Sequence, residues 1–265
     1  MEVLGYMLAI LVGMSLGLVG SGGAILTVPI LVYILGVNPV LATAYSLFIV
    51  GSTALIGGIQ SALQKQVHFR TVLLFGIPSM LAVYATRKWL LPLIPAELLH
   101  VGGLTLTKAM ALMLLFAVVM MAAAISMIRP GIRRNRDPSP PGLYNYVMLL
   151  LQGSGVGIIA GLVGAGGGFL IIPALVLLAR MPMKMAVGTS LFIIASNSLL
   201  GFTGDLQGSA VMDWRLLTIF TSLAVTGIFL GILLSKKVPG AKLKTGLGWF
   251  VLVIGFYIIL KETLL

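Results

Sequence analysis

Residues 3–64 contain no Asp, Glu, Lys or Arg, and that single run excludes most folds open to a chain of 265 residues. A spanning helix needs roughly 20 apolar residues to cross a hydrocarbon layer about 30 Å thick. Further uncharged runs cover 71–86, 109–128, 143–179, 185–204, 216–235 and 245–260. The runs 3–64 and 143–179 are too long for one crossing, and no gap between runs has room for a soluble domain. With 59% hydrophobic and 9% charged residues, the chain is predicted to be an all-α polytopic membrane protein. The net charge of +11 is assigned to basic loops on one side of the bilayer rather than to a nucleic-acid face. The absence of cysteine rules out disulfides and thiolate metal sites. The N-terminal stretch lacks a basic leader region and is expected to be the first membrane segment.

The chain also repeats itself. "GLVGSGGAILTVP" (17–29) returns as "GLVGAGGGFLIIP" (161–173), an offset of 144, and 18 of the 44 ungapped positions from 17 to 60 are identical. "SLFI" at 46–49 returns at 190–193, and after one inserted residue Arg70 meets Arg215. The expected organisation is a first transmembrane repeat, 1–128, a basic and proline-rich cytoplasmic linker, 129–142, and a second repeat, 143–265.

Charge counting distinguishes two topologies. If 3–36 and 143–179 each cross once, Lys and Arg divide almost evenly between the two sides. If each is a hairpin returning to its own side, 12 fall inside with the linker and 5 outside, and five acids (Glu2, Glu97, Asp205, Asp213 and Glu262) fall outside. The positive-inside rule favours the second arrangement: two inverted repeats, each a broken-helix hairpin plus three transmembrane helices. Arg87 and Lys88 are then placed in an outer loop, and 89–107 at the outer interface.

The glycines have a physical role in such a hairpin. An arm from 3 to 17 is about 22 Å of helix, enough to pass the midplane. Glycine permits the positive φ of a tight bend, and the helix that follows begins with unpaired N–H groups and a partial positive charge. Symmetry is expected to bring the two tips together near mid-membrane as an anion site. Pro29 and Pro173 are expected to kink the return arms or free a carbonyl. No charge is expected within any span, so neutral donors must serve at depth: hydroxyls, an amide and backbone N–H groups. Ser46 and Thr53 share one helix face, as do their counterparts Ser190 and Asn197. These groups either donate to an oxyanion or form helix–helix hydrogen bonds. No base accompanies the serines, so an enzyme is disfavoured.

"GLVGAGGGFLIIPAL" with "MKMAVGTSLFIIASNS", doubled by "GLVGSGGAILTVPIL" with "ATAYSLFI", closely resembles the repeated signature of the sulfite exporter TauE/SafE family of membrane permeases. The resemblance extends over nearly the whole chain. It implies an inner-membrane transporter of small sulfur-containing anions, such as sulfite or organosulfonates, without a cofactor. The substrate-binding candidates are Gly20, Ser21, Gly22, Gly23, Tyr45, Ser46 and Thr53 in the first copy. Gly164, Gly166, Gly167, Gly168, Thr189, Ser190 and Asn197 are those of the second. Ala44–Tyr45 stands where the second copy has Gly188–Thr189, so strict two-fold binding is not expected. The expected partners are a small anionic substrate and the lipid bilayer, and no nucleic acid. An anion channel with the same filter and a non-transporting scaffold are the rival readings.

Overall fold

The computed structural model describes residues 2–20, 22–95, 97–101, 104–128, 143–164, 167–177, 181–206, 212–235 and 240–264. The linker 129–142 lies outside the described residues. Among the described residues the protein is all-α apart from one small hairpin. In the first half α1 is Glu2–Val19, α2 is Gly22–Pro29 and α3 is Pro39–Leu63. The long helical stretch Phe69–Leu93 is α4, and α5 is Lys108–Ile128. In the second half α6 is Leu143–Val163, α7 is Gly168–Leu177, α8 is Met183–Asp205, α9 is Trp214–Ser235 and α10 is Gly240–Leu264. Strands β1 (Glu97–Val101) and β2 (Leu104–Thr107) pair antiparallel in the segment expected to lie at the interface. Among the described residues, five helical stretches are long and apolar enough to cross a membrane: Pro39–Leu63, Phe69–Leu93, Lys108–Ile125, Met185–Asp205 and Trp214–Leu234.

The two long uncharged segments are hairpins. α1 turns at Gly20 (φ +77°), and α2 returns along it, with Gly23 packed on Val12, Ser15 and Leu16 and Leu35 back beside Gly5. α6 turns at Gly164 (φ +74°), and Gly167 (φ +70°) lies back against Ala160 and Val156. Both bends need glycine because an L side chain at positive φ meets the following carbonyl. After Pro29 the return arm continues as a π-helical turn, Ile30–Ile34, before Asn38 caps α3 by accepting from the Val40 N–H at 3.0 Å.

Glycine also sets the packing between halves. The first helix of each half lies parallel to the fourth of the other. On the α1–α9 side, a Cβ at Gly13 would overlap the Ala224 carbonyl, and one at Gly17 would stand 2.5 Å from the Ile228 carbonyl oxygen. Gly227 and Gly231 approach the Ile10 and Met14 carbonyls in return. On the α6–α4 side, Gly157 meets the Ser79 carbonyl and Gly161 packs on Val83 and Thr86. Glycines four apart remove the side-chain layer and let backbones touch, a main source of helix association in a lipid environment that is itself apolar. In the middle, α3 and α8 run antiparallel: Leu47 meets Gly201, Gly51 meets Ser198 and Leu199, Gly58 meets Phe192, and Ser61 meets Gly188. α5 packs on α10.

Candidate functional site

The two bends pack at opposite ends of the α3–α8 contact. Gly20 rests on Val187 near the start of α8, while Gly164 rests on Thr43 near the start of α3. The register from Leu47–Gly201 to Ser61–Gly188 covers about 20 Å at 1.5 Å per residue, so the bends themselves do not meet near the middle as symmetry suggested. Each bend is followed by a chain reversal that carries the start of the return arm inward. It is α2 and α7 that touch, and the side chain of Ile172 on α7 reaches Gly20.

The surroundings of the bends differ. Val187, at the first bend, is apolar and half-buried, and the apolar side chain of Ile172 also lies beside Gly20. At the second, the hypothetical Cβ of Gly164 would overlap Thr43 and stand 2.6 Å from Nη2 of Arg87. Arg87 is 1% exposed. Its Nη1 donates to Thr43 Oγ1 at 3.0 Å and lies 3.2 Å from Asp205 Oδ2 at the end of α8. That carboxylate oxygen has no aligned hydrogen bond, and Nε and Nη2 of Arg87 have no partner among the described residues.

This corrects the expectation that no charge lies within a span and that Arg87 sits in an outer loop. α4 does not stop at Ala85; it continues through Arg87 to Leu93. Two π-helical turns, Val72–Gly76 and Thr86–Leu90, interrupt it. Each contains the residue four before a proline, Leu74 before Pro78 and Lys88 before Pro92. The proline ring displaces that carbonyl and widens the turn instead of ending the helix. Arg87 is thereby rotated into the protein, beside Gly204, whose missing side chain leaves room for the Arg87 Cβ. Asp205, expected outside, ends α8 against it. The sequence signal was present in the proline spacing, but two charges and two prolines in "RKWLLPLIP" read more simply as a loop.

The other predicted site residues are distributed as follows. Ser21 and Gly166 lie outside the described residues. Gly22 and Gly168 open the return arms, and Gly167 accepts the Leu170 and Ile171 N–H groups at its carbonyl. Tyr45 is buried and its hydroxyl accepts from the Asp213 N–H at 2.6 Å. Thr189 Oγ1 accepts from the His68 N–H at 3.0 Å. Thr53 and Ser190 donate within their own helices, to Ile49 and Val187. Asn197 Nδ2 donates to Ser79 Oγ at 2.7 Å, a contact across to α4. Ser46 Oγ, Asn197 Oδ1 and Ser198 Oγ are buried without partners among the described residues. The expected Ser/Thr/Asn set thus divides into groups already paired within the protein and two atoms with spare capacity, Ser46 Oγ and Asn197 Oδ1, with the unpredicted Ser198 Oγ beside them in sequence. Among the described residues no cluster of His, Cys, Asp or Glu could hold a metal.

Buried hairpins, backbone-to-backbone helix packing and a charged residue enclosed at a bend define a polytopic membrane protein. The chain belongs to the sulfite exporter TauE/SafE family, whose model matches residues 6–258. That family is one of membrane transporters rather than enzymes, and the protein is integral to the membrane. It is 30% identical over 259 residues to a probable membrane transporter protein of Xylella fastidiosa (strain 9a5c), covering 95% of this chain and 92% of the relative. It is 27% identical over 254 residues to the probable membrane transporter protein YunE of Bacillus subtilis (strain 168), covering 88% and 89%. The B. subtilis protein YjnA, also a probable membrane transporter protein, is 27% identical over 254 residues, covering 96% and 98%. These bacterial relatives accord with an inner-membrane location. No solved structure matches the chain.

Proposed function

We propose that the protein is a carrier for small sulfur-containing oxyanions, such as sulfite or organosulfonates, built as two inverted repeats that expose a central site alternately to either side. The observation that carries the reading is the contact between α2 and α7. Both return arms begin at glycines, both are buried, and each packs on the third helix of its own half. Helix N-termini offer unpaired N–H groups and a partial positive charge, and two return arms that touch and each begin with such a terminus favour an anion between them. Ser46 Oγ, a buried hydroxyl with spare hydrogen-bonding capacity, adds a donor that holds an oxyanion without binding it too tightly to leave. The family description supplies the sulfur chemistry.

Inversion is supported by the middle of the protein. α3 and α8 are repeat equivalents, yet they run antiparallel along one another. Two copies related in that way are inserted in opposite senses.

The test is flux. Purified protein in proteoliposomes is given labelled sulfite, sulfoacetate or sulfate. Saturable uptake of sulfite or sulfoacetate is expected. Uptake that rises without saturation would indicate a channel, and no uptake of any of the three would remove the sulfur-anion assignment.

A further inference from the structure

Resting on the reading of the protein as an oxyanion carrier, we propose that Arg87 is the charged anchor of the transported anion at the second bend, and that Asp205 is the built-in competitor that releases it. The guanidinium is used asymmetrically. Nη1 serves Thr43 and faces Asp205; Nε and Nη2 together have no partner among the described residues. Those two nitrogens form one edge of the planar fork, the edge that takes two oxygens of a carboxylate, sulfonate or phosphate side by side. Burying two charged donors without acceptors is costly. A pair kept only for structure would be expected to turn that edge toward its carboxylate. Instead the fork edge faces Gly164, where the chain has no side chain and where a Cβ would stand 2.6 Å from Nη2.

The arrangement belongs to one copy alone. With the repeat offsets, Ile232 stands at the place of Arg87, Ser61 at that of Asp205 and Val187 at that of Thr43. The fold therefore does not require the charges in order to form a bend. Two more cations lie at the same end of the protein. Lys88 Nζ donates to Tyr84 Oη at 3.1 Å and lies over the Trp89 ring, and Lys108 Nζ donates to the Leu91 carbonyl. Three positive groups at one end of the protein raise the local anion concentration there. An oxyanion entering there takes the Nε–Nη2 edge, and Asp205 at 3.2 Å from Nη1 weakens its hold, so that the anion can leave.

The test is anion-induced thermal stabilisation of the detergent-purified protein, with sulfite, sulfoacetate, sulfate, phosphate and acetate as probes. Three proteins are compared: wild type, Asp205→Asn, and the neutral pair Arg87→Met/Asp205→Leu. The pair keeps the buried region free of an unbalanced charge. Asp205→Asn is expected to bind the preferred anion about tenfold more tightly, and the neutral pair on the order of a hundredfold more weakly. Wild-type affinity in a folded neutral pair overturns the proposal, as does unchanged or weaker binding in Asp205→Asn, or no anion stabilising the wild type. If the neutral pair fails to fold, Asp205→Asn decides alone. Stabilisation by phosphate or acetate only, lost in the neutral pair, keeps Arg87 as the anchor and rejects sulfur as the substrate chemistry. Stabilisation by sulfite that survives in the neutral pair does the reverse.

Discussion

The two hairpin bends come from one sequence pattern and share one backbone geometry, with Gly20 and Gly164 at φ +77° and +74°. Their supports also correspond. Gly13 touches the Ala224 carbonyl and its equivalent Gly157 touches the Ser79 carbonyl, each in a parallel pair of helices. The bends differ in what they face. The first faces Val187; the second faces Thr43, with Arg87 and Asp205 behind it. The framework is symmetric because both halves must solve the same packing problem. The charged groups stand at one bend alone; under the proposed anion-carrier reading, a single anion needs only one charged anchor, and a second would hold it too strongly to release.

That contrast can be broken at three levels. The largest effects belong to the shared framework. Gly13→Leu and Gly157→Leu each push a side chain into a backbone carbonyl and should each cost more than about 3 kcal/mol, enough to prevent assembly. Gly155→Leu, with open space around it, should be tolerated. Recovery of folded protein by size-exclusion chromatography separates the three. If Gly13→Leu folds while Gly157→Leu does not, the two halves do not share one framework.

The bends should respond unequally. Alanine at either meets the penalty of positive φ, roughly 1–2 kcal/mol. At Gly20 the new methyl presses only on apolar side chains, those of Val187 and Ile172; at Gly164 it meets the Thr43 backbone and the buried guanidinium. Gly164→Ala is expected to lose both stability and transport, whereas Gly20→Ala should mainly lose stability. Detergent denaturation alongside proteoliposome flux measures both, and equal loss of flux would erase the distinction.

The smallest effects concern the hydroxyls and the amide. Asn197→Ala leaves Ser79 without its 2.7 Å partner and should cost about 1–2 kcal/mol. Ser46→Ala removes a hydroxyl that bonds no described residue, so stability should change by less than about 0.5 kcal/mol while the KM for the anion rises. An unchanged KM would place Ser46 in the packing and not in the site.

The hairpins were legible in the sequence because two independent signals agree there: an uncharged run too long for one crossing and glycine at the one place a bend is sterically possible. The repeat was legible as ungapped identity. Arg87 was not. Its burial depends on α4 widening twice to accommodate Pro78 and Pro92, a backbone response that local composition describes as a loop. The uses of Tyr45 and Thr189 were hidden for a different reason. Their partners, the Asp213 and His68 N–H groups, are remote in sequence, and no spacing rule connects them.

The account depends most on the opposite insertion of the two halves, and the chain has no cysteine to complicate a labelling experiment. Asn38 and Pro182 are repeat equivalents, both exposed, one just before α3 and the other just before α8. Single cysteines at these positions, Asn38→Cys and Pro182→Cys, would be treated in sealed, oriented vesicles with a membrane-impermeant maleimide. Labelling of the two from opposite sides of the membrane is the predicted result. Labelling of both from the same side would contradict inverted repeats, and with them the alternating exposure of a central anion site.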